Sequence, residues 1–599
     1  MPLIVQKFGG TSVADCEKIL AAARKAIRAQ KAGHQVVMVV SAMGKNTDVL
    51  VELARQINPR PPAREMDMLL STGEQVSVAL MAMAIDALDS RAVSLTGGQI
   101  GIRTDSTHTK ARIRSISTDR MRRLLDEGHI VIAAGFQGID EDYNITTLGR
   151  GGSDTTAVAL AAVLAAESCE IYTDVDGVYT TDPRIVPEAR RVGRISYDEM
   201  LELASLGAGV MHSRSIEFAK KFSVPIHVRS SFSDLPGTMI EAEPETLDRP
   251  VGGVALTRDE ARVTVADVPD VPGSILEVFS RIASRNVTVD MIVQNIGRQG
   301  KADISFTVPS AELPAVLEAA EEATAALGDL EITHDDQVSK VSAVGLGMAT
   351  QTGVAHRMFR ALAEVGTNIQ MITTSEIKIS ALVDRDEAAT ALRAVHRAFD
   401  LQQEPSPEPA APPLPAAAAP RRMLSPAGAA EVVSQLQGVE LEELLIEEIT
   451  LDESQGRVTV EGVPDRPGIA AEVFEQVAAT GIFVDMIVQS SGREGRASLS
   501  FTVPREQVAA SVAVARRLAQ ELRLGDVTSS PQVAKLSVSG IGLRSHTGVA
   551  IRMFRALAAE DINVQMINTS EVRVNVVVDG SSGTRGLNSL QAAFADVSR

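Results

Sequence analysis

Several short segments combine glycine, hydroxyl and charged side chains in ways that suit phosphate and carboxylate chemistry. Lys7-Phe-Gly-Gly-Thr-Ser12 follows an apolar run and precedes a helical pattern. Two glycines let backbone approach an anion, while Lys7 and the helix N-terminus supply positive field. Taken alone, a Gly-Gly pair there is better explained by a tight strand-to-helix turn with a solvated lysine. It is not the eight-residue phosphate loop ending in Gly-Lys-Ser/Thr, which occurs nowhere in the chain.

Thr147-Leu-Gly-Arg-Gly-Gly-Ser-Asp-Thr-Thr156 is more specific. Three glycines bracket Arg150, whose guanidinium suits a substrate carboxylate through bidentate hydrogen bonds. Ser153 or Asp154 could cap a helix beginning near Thr155, but a surface turn rarely needs Gly-Arg-Gly-Gly. Tyr172-Thr-Asp-Val-Asp-Gly-Val-Tyr-Thr-Thr-Asp-Pro-Arg184 follows another apolar run. Its spacing lacks the terminal Glu of the twelve-residue calcium loop; its Thr, Asp, Tyr and Arg suit a nucleotide's ribose, base and phosphates. Ser41-Ala-Met-Gly with Thr47-Asp48, and Ser71-Thr-Gly-Glu74, add hydroxyls and a carboxylate. Read singly, Ser41 and Thr47 fit helix caps better than ligands. Gly345-Leu-Gly347 and Gly540-Ile-Gly542 lack the third glycine of a dinucleotide fingerprint.

These segments sit at the ends of elements that alternate. Strand patterns at Leu3–Phe8, Gln35–Ser41, Ala92–Leu95, Ile130–Ala134, Glu170–Thr173 and Ile226–Arg229 are separated by helical ones such as Ala14–Ala32 and Glu65–Leu88. Such alternation predicts a largely parallel sheet with helices on both faces, its chemistry beyond the strands' carboxyl ends. The rest of the chain is organised by a repeat at a fixed offset of 195 residues. Arg262-Val-Thr-Val returns as Arg457-Val-Thr-Val, Val289–Gln294 as Val484–Gln489, and Arg357–Ala363 as Arg552–Ala558. Each unit is itself double, which predicts four βαββ-type modules from Val251 to Arg599. Between the two pairs, residues 401–430 are rich in proline and alanine and predict a semi-extended spacer.

Composition bounds the rest. Of 599 residues, 45% are hydrophobic and 23% charged, as in a globular multidomain protein. The net charge of −19 and 3% aromatics without Trp argue against nucleic-acid binding surfaces. Two cysteines, Cys16 and Cys169, fit a reducing compartment. The start carries no signal-peptide pattern, and the run Ala157–Ala166 is too short to span a bilayer. The expectation is a cytoplasmic protein without a membrane partner.

Together, Lys7-Phe-Gly-Gly-Thr-Ser, Ser41-Ala-Met-Gly, Ser71-Thr-Gly-Glu, Gly149-Arg-Gly-Gly-Ser-Asp and the Tyr172–Arg184 segment resemble aspartate kinases, members of the amino acid kinase family. The resemblance covers the whole chain, because those enzymes carry C-terminal ACT modules, usually two. It implies an α/β fold: a three-layer αβα, carbamate-kinase-like domain over 1–245, then ferredoxin-like βαββαβ ACT modules at 251–335, 336–400, 440–530 and 531–599. It implies transfer of phosphate from ATP, with Mg²⁺, to the β-carboxylate of L-aspartate, the entry to lysine, threonine and methionine biosynthesis. Lys7 and Asp154 would be catalytic. Ser41, Thr47, Glu74, Arg150, Gly152 and Ser153 would bind aspartate. ATP would take Lys7, Phe8, Gly9, Gly10, Thr173, Asp174, Tyr179, Asp182 and Arg184. No residue is assigned as a protein metal ligand. One position departs: family members often carry a lysine where Gly209 stands.

By the same resemblance the modules bind amino-acid effectors, lysine, threonine or both, between paired domains. The expected positions are Asp270, Pro272, Gly273, Ser274, Ile275, Asp290 and Gln294, with Asn368 and Ile369 from the partner module. The repeat offers Asp465, Gly468, Ile469, Asp485 and Gln489, with Ile562 and Asn563. Paired modules also suggest a homodimer formed through module edges. The alternatives are an amino acid kinase acting on glutamate, N-acetylglutamate or UMP, and a catalytically weak amino-acid sensor. A fused homoserine dehydrogenase is disfavoured, since repeats account for the C-terminal half.

Overall fold

The computed structural model describes residues 1–285, 287–296, 300–328, 330–405, 441–490, 495–543 and 548–598. Most of the expected spacer lies outside them. The N-terminal domain is built on an eight-stranded sheet in the order Arg194–Ser196, Thr238–Glu241, Ile226–Ser230, Ser168–Thr173, Leu3–Phe8, Gln35–Val40, Ile130–Ala134, Ala92–Leu95. The six from Ile226–Ser230 onward run parallel. Alternation of side chains sorts them into two cores. Leu3 and Val5 pack with Val37, Val39 and the helix Gly152–Val163. Ile4 and Phe8 pack with Met38, Val40 and the helices Cys16–Lys31 and Ala63–Asp86. That is the expected three-layer arrangement. The helix Gly152–Val163 is buried along its whole length, which explains its lack of an amphipathic stripe. Ala63–Asp86 is long and apolar enough to cross a membrane by length and composition. Its buried face, however, carries Asp67, Ser71 and Glu74 into this domain. A small four-stranded sheet, ending in Ile145–Thr147, leads into the Gly-Arg-Gly-Gly loop.

The modules do not follow one another as the contiguous boundaries 251–335 and 336–400 had them. The long strand Gly253–Pro269 pairs twice with the long strand Glu331–Val344. Its first part, Gly253–Thr257, lies against Lys340–Val344 and closes the second module; Arg262–Ala266 lies against Glu331–Asp335 in the first. Module 1 is therefore inserted into module 2. Leu445–Asp452 likewise pairs with Val533–Ile541, so module 3 is inserted into module 4. Sequence periodicity marks strands and leaves open which strand a neighbour's ladder will recruit.

The pairing of modules also differs from the expectation. Asn368 Nδ2 donates to Asp465 Oδ1 at 2.7 Å, and Asn563 Nδ2 to Asp270 Oδ1 at 2.7 Å. Module 2 thus faces module 3, and module 1 faces module 4. Phe359 packs on Phe474 and Phe279 on Phe554, at centroid distances of 5.6 and 6.1 Å. Modules 1 and 2 cannot face each other, because their free edge strands, Asp290–Ile296 and Met371–Thr374, lie at opposite edges of one six-stranded run. At about 4.8 Å per strand the two edges are roughly 24 Å apart. Met371–Thr374 pairs instead with Ile487–Ser490, joining modules 2 and 3 into one ten-stranded sheet. The module edges expected to join two copies are here joined within one chain.

Between that sheet and the sheet of module 4 lies an apolar layer. Met291, Val293, Val338, Met371 and Leu382 meet Met486, Val488, Val533, Met566 and Val577. Each residue of the first set is matched by the one 195 positions later. At about 1.5–3 kcal/mol per buried side chain, this layer outweighs the edge contact of Ile372 and Thr373 with Gln489 and Val488.

The catalytic and sensor halves meet at buried polar contacts. Lys378 Nζ of module 2 lies 2.9 Å from Glu202 Oε2 on the helix Tyr197–Ser205, with side-chain exposures of 4% and 0%. The Glu571 N–H of module 4 donates to the other oxygen of Glu202 at 3.0 Å. Burial alone would lower the Lys378 pKa, but Glu202, Asp290 and Glu571 raise it above its ordinary value. Lys378→Met strands the Glu202 carboxylate in the interior and should destabilise the chain by about 3–5 kcal/mol. Urea unfolding of the two proteins measures this; an unchanged midpoint contradicts it.

Candidate active site

Parallel pairing puts the carboxyl ends of neighbouring strands side by side: Ser230, Thr173, Phe8, Val40 and Ala134. The loops after them carry nearly every motif singled out in the sequence. Lys7 is central. Its Nζ lies 2.6 Å from Asp154 Oδ1, both side chains almost buried at 11% and 12% exposure. Asp154 is not a cap. The helix begins at Gly152 after Gly151 in the left-handed region, so Ser153 and Asp154 occupy its first turn. That helix end adds positive field beside Lys7.

On one side of Lys7 the loops are tightly fitted. A Cβ on Gly10 would stand 2.8 Å from the Ala42 carbonyl oxygen and 3.1 Å from that of Gly44. Only glycine lets the Gly9-Gly10 and Ser41–Gly44 loops meet, held by Gly44 N–H to Gly10 O at 3.0 Å and Ser41 N–H to Phe8 O at 3.1 Å. Glu74 Oε1 accepts the Ala42 N–H at 3.0 Å. Burial pushes the Glu74 carboxyl up to about 7, the Ala42 hydrogen bond opposing it. Thr47 lies in the first turn of the helix Asn46–Ile57, which buries none of its residues. Arg150 is exposed, and no ion pair or hydrogen bond holds its guanidinium among the described residues.

On the other side lie the candidate nucleotide residues. Gly9 N–H donates to Tyr172 O at 3.3 Å, and Ser231 N–H to Thr173 O at 2.8 Å. Asp174 is exposed, and Tyr179 pairs with Arg191 in a β-bridge. Two expectations change in detail. Phe8 is fully buried and stacked on Tyr172 at 4.6 Å, so only its backbone reaches the site. Arg184 is 88% exposed and paired with Asp182 at 2.8 Å, a bond that holds Asp182 below the usual carboxylate range.

The site also uses residues that carried no motif. Asp67, fully buried one turn before Ser71, accepts from Thr147 Oγ1 at 2.5 Å, His108 Nδ1 at 2.7 Å and Thr109 N–H at 3.0 Å. It fastens the start of the Gly-Arg-Gly-Gly loop to the helix Ala63–Asp86. Its only sequence signal is the spacing Asp67, Ser71, Glu74, which shares one helix face. His212 packs where a Cβ on Gly151 would fall, 2.3 Å from its own Cβ. Burial lowers its imidazole pKa.

In the sensor half, Asp270 collects Asn563 and, at 3.4 Å, Gln294 Nε2. Pro272, Gly273, Ser274 and Ile275 form the adjoining turn and first helical turn, with Ile562 and Ile275 in the shared core. In the other pair, Asn368, Ile369, Asp465, Gly468, Ile469 and Gln489 line a cavity of about 10 Å³. Asp290 and Asp485 are engaged otherwise: Lys340 Nζ is 2.6 Å from Asp290 Oδ2, and Lys535 pairs with Asp485. A larger cavity of about 260 Å³ lies between modules 2 and 3, with Gly353, Ser375, Glu376 and Asp485 in its wall. Its counterpart between modules 1 and 4, walled by Asp290 and Glu571, has about 100 Å³. Of these walls the sequence named only Asp485 and Asp290, since each wall joins residues from two units.

A parallel sheet with a lysine and a glycine-lined helix end at its carboxyl edge, joined to ferredoxin-like modules, defines an amino acid kinase with ACT domains. The family comparisons agree: residues 2–230 match the amino acid kinase family, and 262–325, 341–399, 458–517 and 536–594 match ACT domains. The aspartokinase of Mycolicibacterium smegmatis is 50% identical over 407 residues, 67% of this chain and 97% of that protein. That of Pseudomonas aeruginosa is 51% identical over 404 residues, 67% and 98% of the two. The crystal structure of aspartate kinase from Synechocystis is 40% identical, covers 99% of this chain and 98% of its own, and superposes with a TM-score of 0.52. The chain belongs to the aspartokinase family.

Glu74 links this site to pH. Folded, it keeps its proton up to about pH 7, whereas unfolded it ionises near 4.5. The folded state therefore binds more protons between those values, and stability falls as pH rises across that window. Glu74→Gln should gain on the order of 3 kcal/mol over wild type at pH 8 and less than about 1 kcal/mol near pH 5. Urea midpoints at the two pH values test this; a pH-independent difference contradicts it.

Proposed function

We propose that the chain transfers the γ-phosphoryl group of ATP to the β-carboxylate of L-aspartate, forming 4-phospho-L-aspartate. The observation that carries this is the Lys7–Asp154 pair standing between two differently equipped halves of one sheet edge. Thr173, Asp174, Tyr179 and the backbone of Phe8, Gly9 and Gly10 suit the nucleotide. Ser41, Thr47, Glu74, Arg150, Gly152 and Ser153 suit a small dicarboxylate with an amino group. An E. coli aspartokinase III structure, 26% identical with a TM-score of 0.57 and covering 66% of this chain, was solved with aspartate and ADP.

In this reading the substrate carboxylate is already ionised at neutral pH, so no general base is needed. The bond from the γ-phosphorus to the nucleotide's bridging oxygen breaks as one to the carboxylate oxygen forms. Lys7 and the N-terminus of the helix Gly152–Val163 neutralise charge on the moving group, and Asp154 fixes where the ammonium points. Glu74 must be ionised to hold the substrate ammonium, which a cationic partner favours. Arg150 takes the α-carboxylate. The described residues contain no cluster of three acidic, histidine or cysteine side chains, and Mg²⁺ commonly rides on phosphates with one or two carboxylates and water. Asp174, the exposed carboxylate just after the strand Ser168–Thr173, would hold it, and the ion would neutralise phosphate charge.

For the modules we propose feedback by lysine, threonine or both. An E. coli aspartokinase III structure containing lysine and aspartate, 26% identical with a TM-score of 0.53, supports lysine. Within this chain, Glu376 and Asp485 line the 260 Å³ cavity; each already pairs with a cation, Arg573 and Lys535, so an effector's ammonium would share those carboxylates.

Purified protein with ATP, Mg²⁺ and aspartate should yield a hydroxamate-trappable acyl phosphate; none formed refutes the reaction. Arg150→Ala should raise the aspartate KM by about tenfold or more and leave the ATP KM within about twofold, the loss of a charge-assisted hydrogen bond. Lysine or threonine should shift the apparent aspartate KM, and indifference to both, alone and together, removes the regulatory reading.

A further inference from the structure

We propose that Arg214 is a positioning residue for the loop carrying Arg150, and that Glu442, from the sensor half, sets the position of that arginine. The proposal rests on the aspartate-kinase reading for its kinetic consequence and on geometry alone for the link itself. Arg214 lies in the first turn of the helix Ser213–Phe222. Its Nη1 donates to the Leu148 carbonyl at 2.6 Å and its Nη2 to the Ala111 carbonyl at 2.7 Å. Leu148 immediately precedes Gly149 and Arg150. Ala111 ends the segment whose Thr109 N–H is held by Asp67. The N-terminal flank of the loop is thus clasped twice, by Asp67 through Thr147 and by Arg214 through Leu148.

The remaining face of the guanidinium goes to Glu442. Nε donates to Glu442 Oε2 at 3.0 Å, and Nη2 reaches the same oxygen. The side chains are 16% and 8% exposed, so this is a desolvated pair and not a screened surface contact. Residues 441–444 reach the catalytic domain just before forming a strand of the sensor half. Leu441 is 1% exposed in the catalytic domain's core, and its N–H donates to the Arg114 carbonyl at 3.3 Å. Lys221 Nζ holds the Leu441 and Glu443 carbonyls at 3.2 and 3.1 Å. The chain then enters Leu445–Asp452, which pairs with Val533–Ile541 of module 4. Together with Lys221 at the Glu443 carbonyl and Lys220 beside Glu447, Glu442 ties that strand to the catalytic domain, and through Arg214 it alone reaches the Leu148 carbonyl among these contacts.

A planar fork that spends its donors on two carbonyls and one carboxylate has a single orientation. Without Glu442, the guanidinium keeps its charge and loses the partner that aims it. Arg150, exposed and without an ion pair or side-chain hydrogen bond among the described residues, is restrained by its loop. Small misplacements of a substrate-orienting group carry large kinetic consequences, and the effect falls on the substrate whose contact is lost.

The test uses the full-length chain carrying Glu442→Gln, which keeps shape and removes charge, and Glu442→Asp, which keeps charge. Aspartate and ATP are varied independently, and amide hydrogen exchange is followed in residues 149–152, with the helix Cys16–Lys31 as internal reference. Glu442→Gln should raise the aspartate KM roughly ten- to a hundredfold, with the ATP KM within about twofold. It should also speed exchange in the loop by about tenfold without changing the reference helix. Glu442→Asp should recover part of both. Unchanged loop exchange and an unchanged aspartate KM overturn the proposal. So does faster exchange in loop and reference helix alike, which marks plain destabilisation. If wild-type protein makes no acyl phosphate, the parent reaction fails, and the exchange experiment still decides whether Glu442 positions the loop.

Discussion

The catalytic half depends on one desolvated contact, the Lys7–Asp154 ion pair. Lys7 is the penultimate residue of the central strand and Asp154 lies in the first turn of a fully buried helix, so the pair fixes that helix against the sheet edge. Two charges removed from water tolerate little freedom: neither can turn away without leaving the other unpaired. The position of Lys7 in turn divides the edge. Strands ending at Thr173 and Ser230 lie to one side, those ending at Val40 and Ala134 to the other. A nucleotide and a small acid placed on either side bring their reacting groups to the same ammonium.

The sensor half obeys a different constraint, the identity of its two units. Every member of the central apolar layer has its counterpart 195 residues away. Duplicating the whole unit duplicated every complementary surface with it, so one chain closes an arrangement that a single unit leaves with open edges. The copies nevertheless diverge where they meet the catalytic domain. Glu571 is buried beside Glu202, while its counterpart Glu376 lies on the 260 Å³ cavity and pairs with Arg573. The Lys340–Asp290 pair is joined by Glu260, and the equivalent Lys535–Asp485 pair has Gln455 at the matching place. Identical surfaces explain the assembly; the catalytic domain meets one module of each pair, through Lys378 of module 2 and Glu571 of module 4.

Much of this was legible in the sequence. The strands from Leu3–Phe8 to Ile226–Arg229 are legible in apolar runs, within a residue or two of the observed bounds, and the motif loops do lie at their carboxyl ends. Lys7, Glu74 and Asp154 were legible because glycine and hydroxyl neighbours leave a local trace. Asp67 and Arg214 were not. Asp67 sits one turn from a motif without belonging to it, and Arg214 acts through carbonyls, which no side-chain pattern reports. The helix start at Gly152 was displaced from Thr155 because a glycine in the left-handed region, and not a hydroxyl cap, opens it.

By itself the sequence determined composition-level and local facts: period-two strands, glycine turns, the 195-residue duplication and the family likeness. These depend on neighbours along the chain, or on comparing one stretch with another. Tertiary structure alone decided that module 1 sits inside module 2 and faces module 4, and that Glu442 reaches Arg214. Two copies of one surface are indistinguishable as sequence, so only the distance between strand edges selects the partner. A buried ion pair across such a separation exists only once the domains that exclude water from it have met.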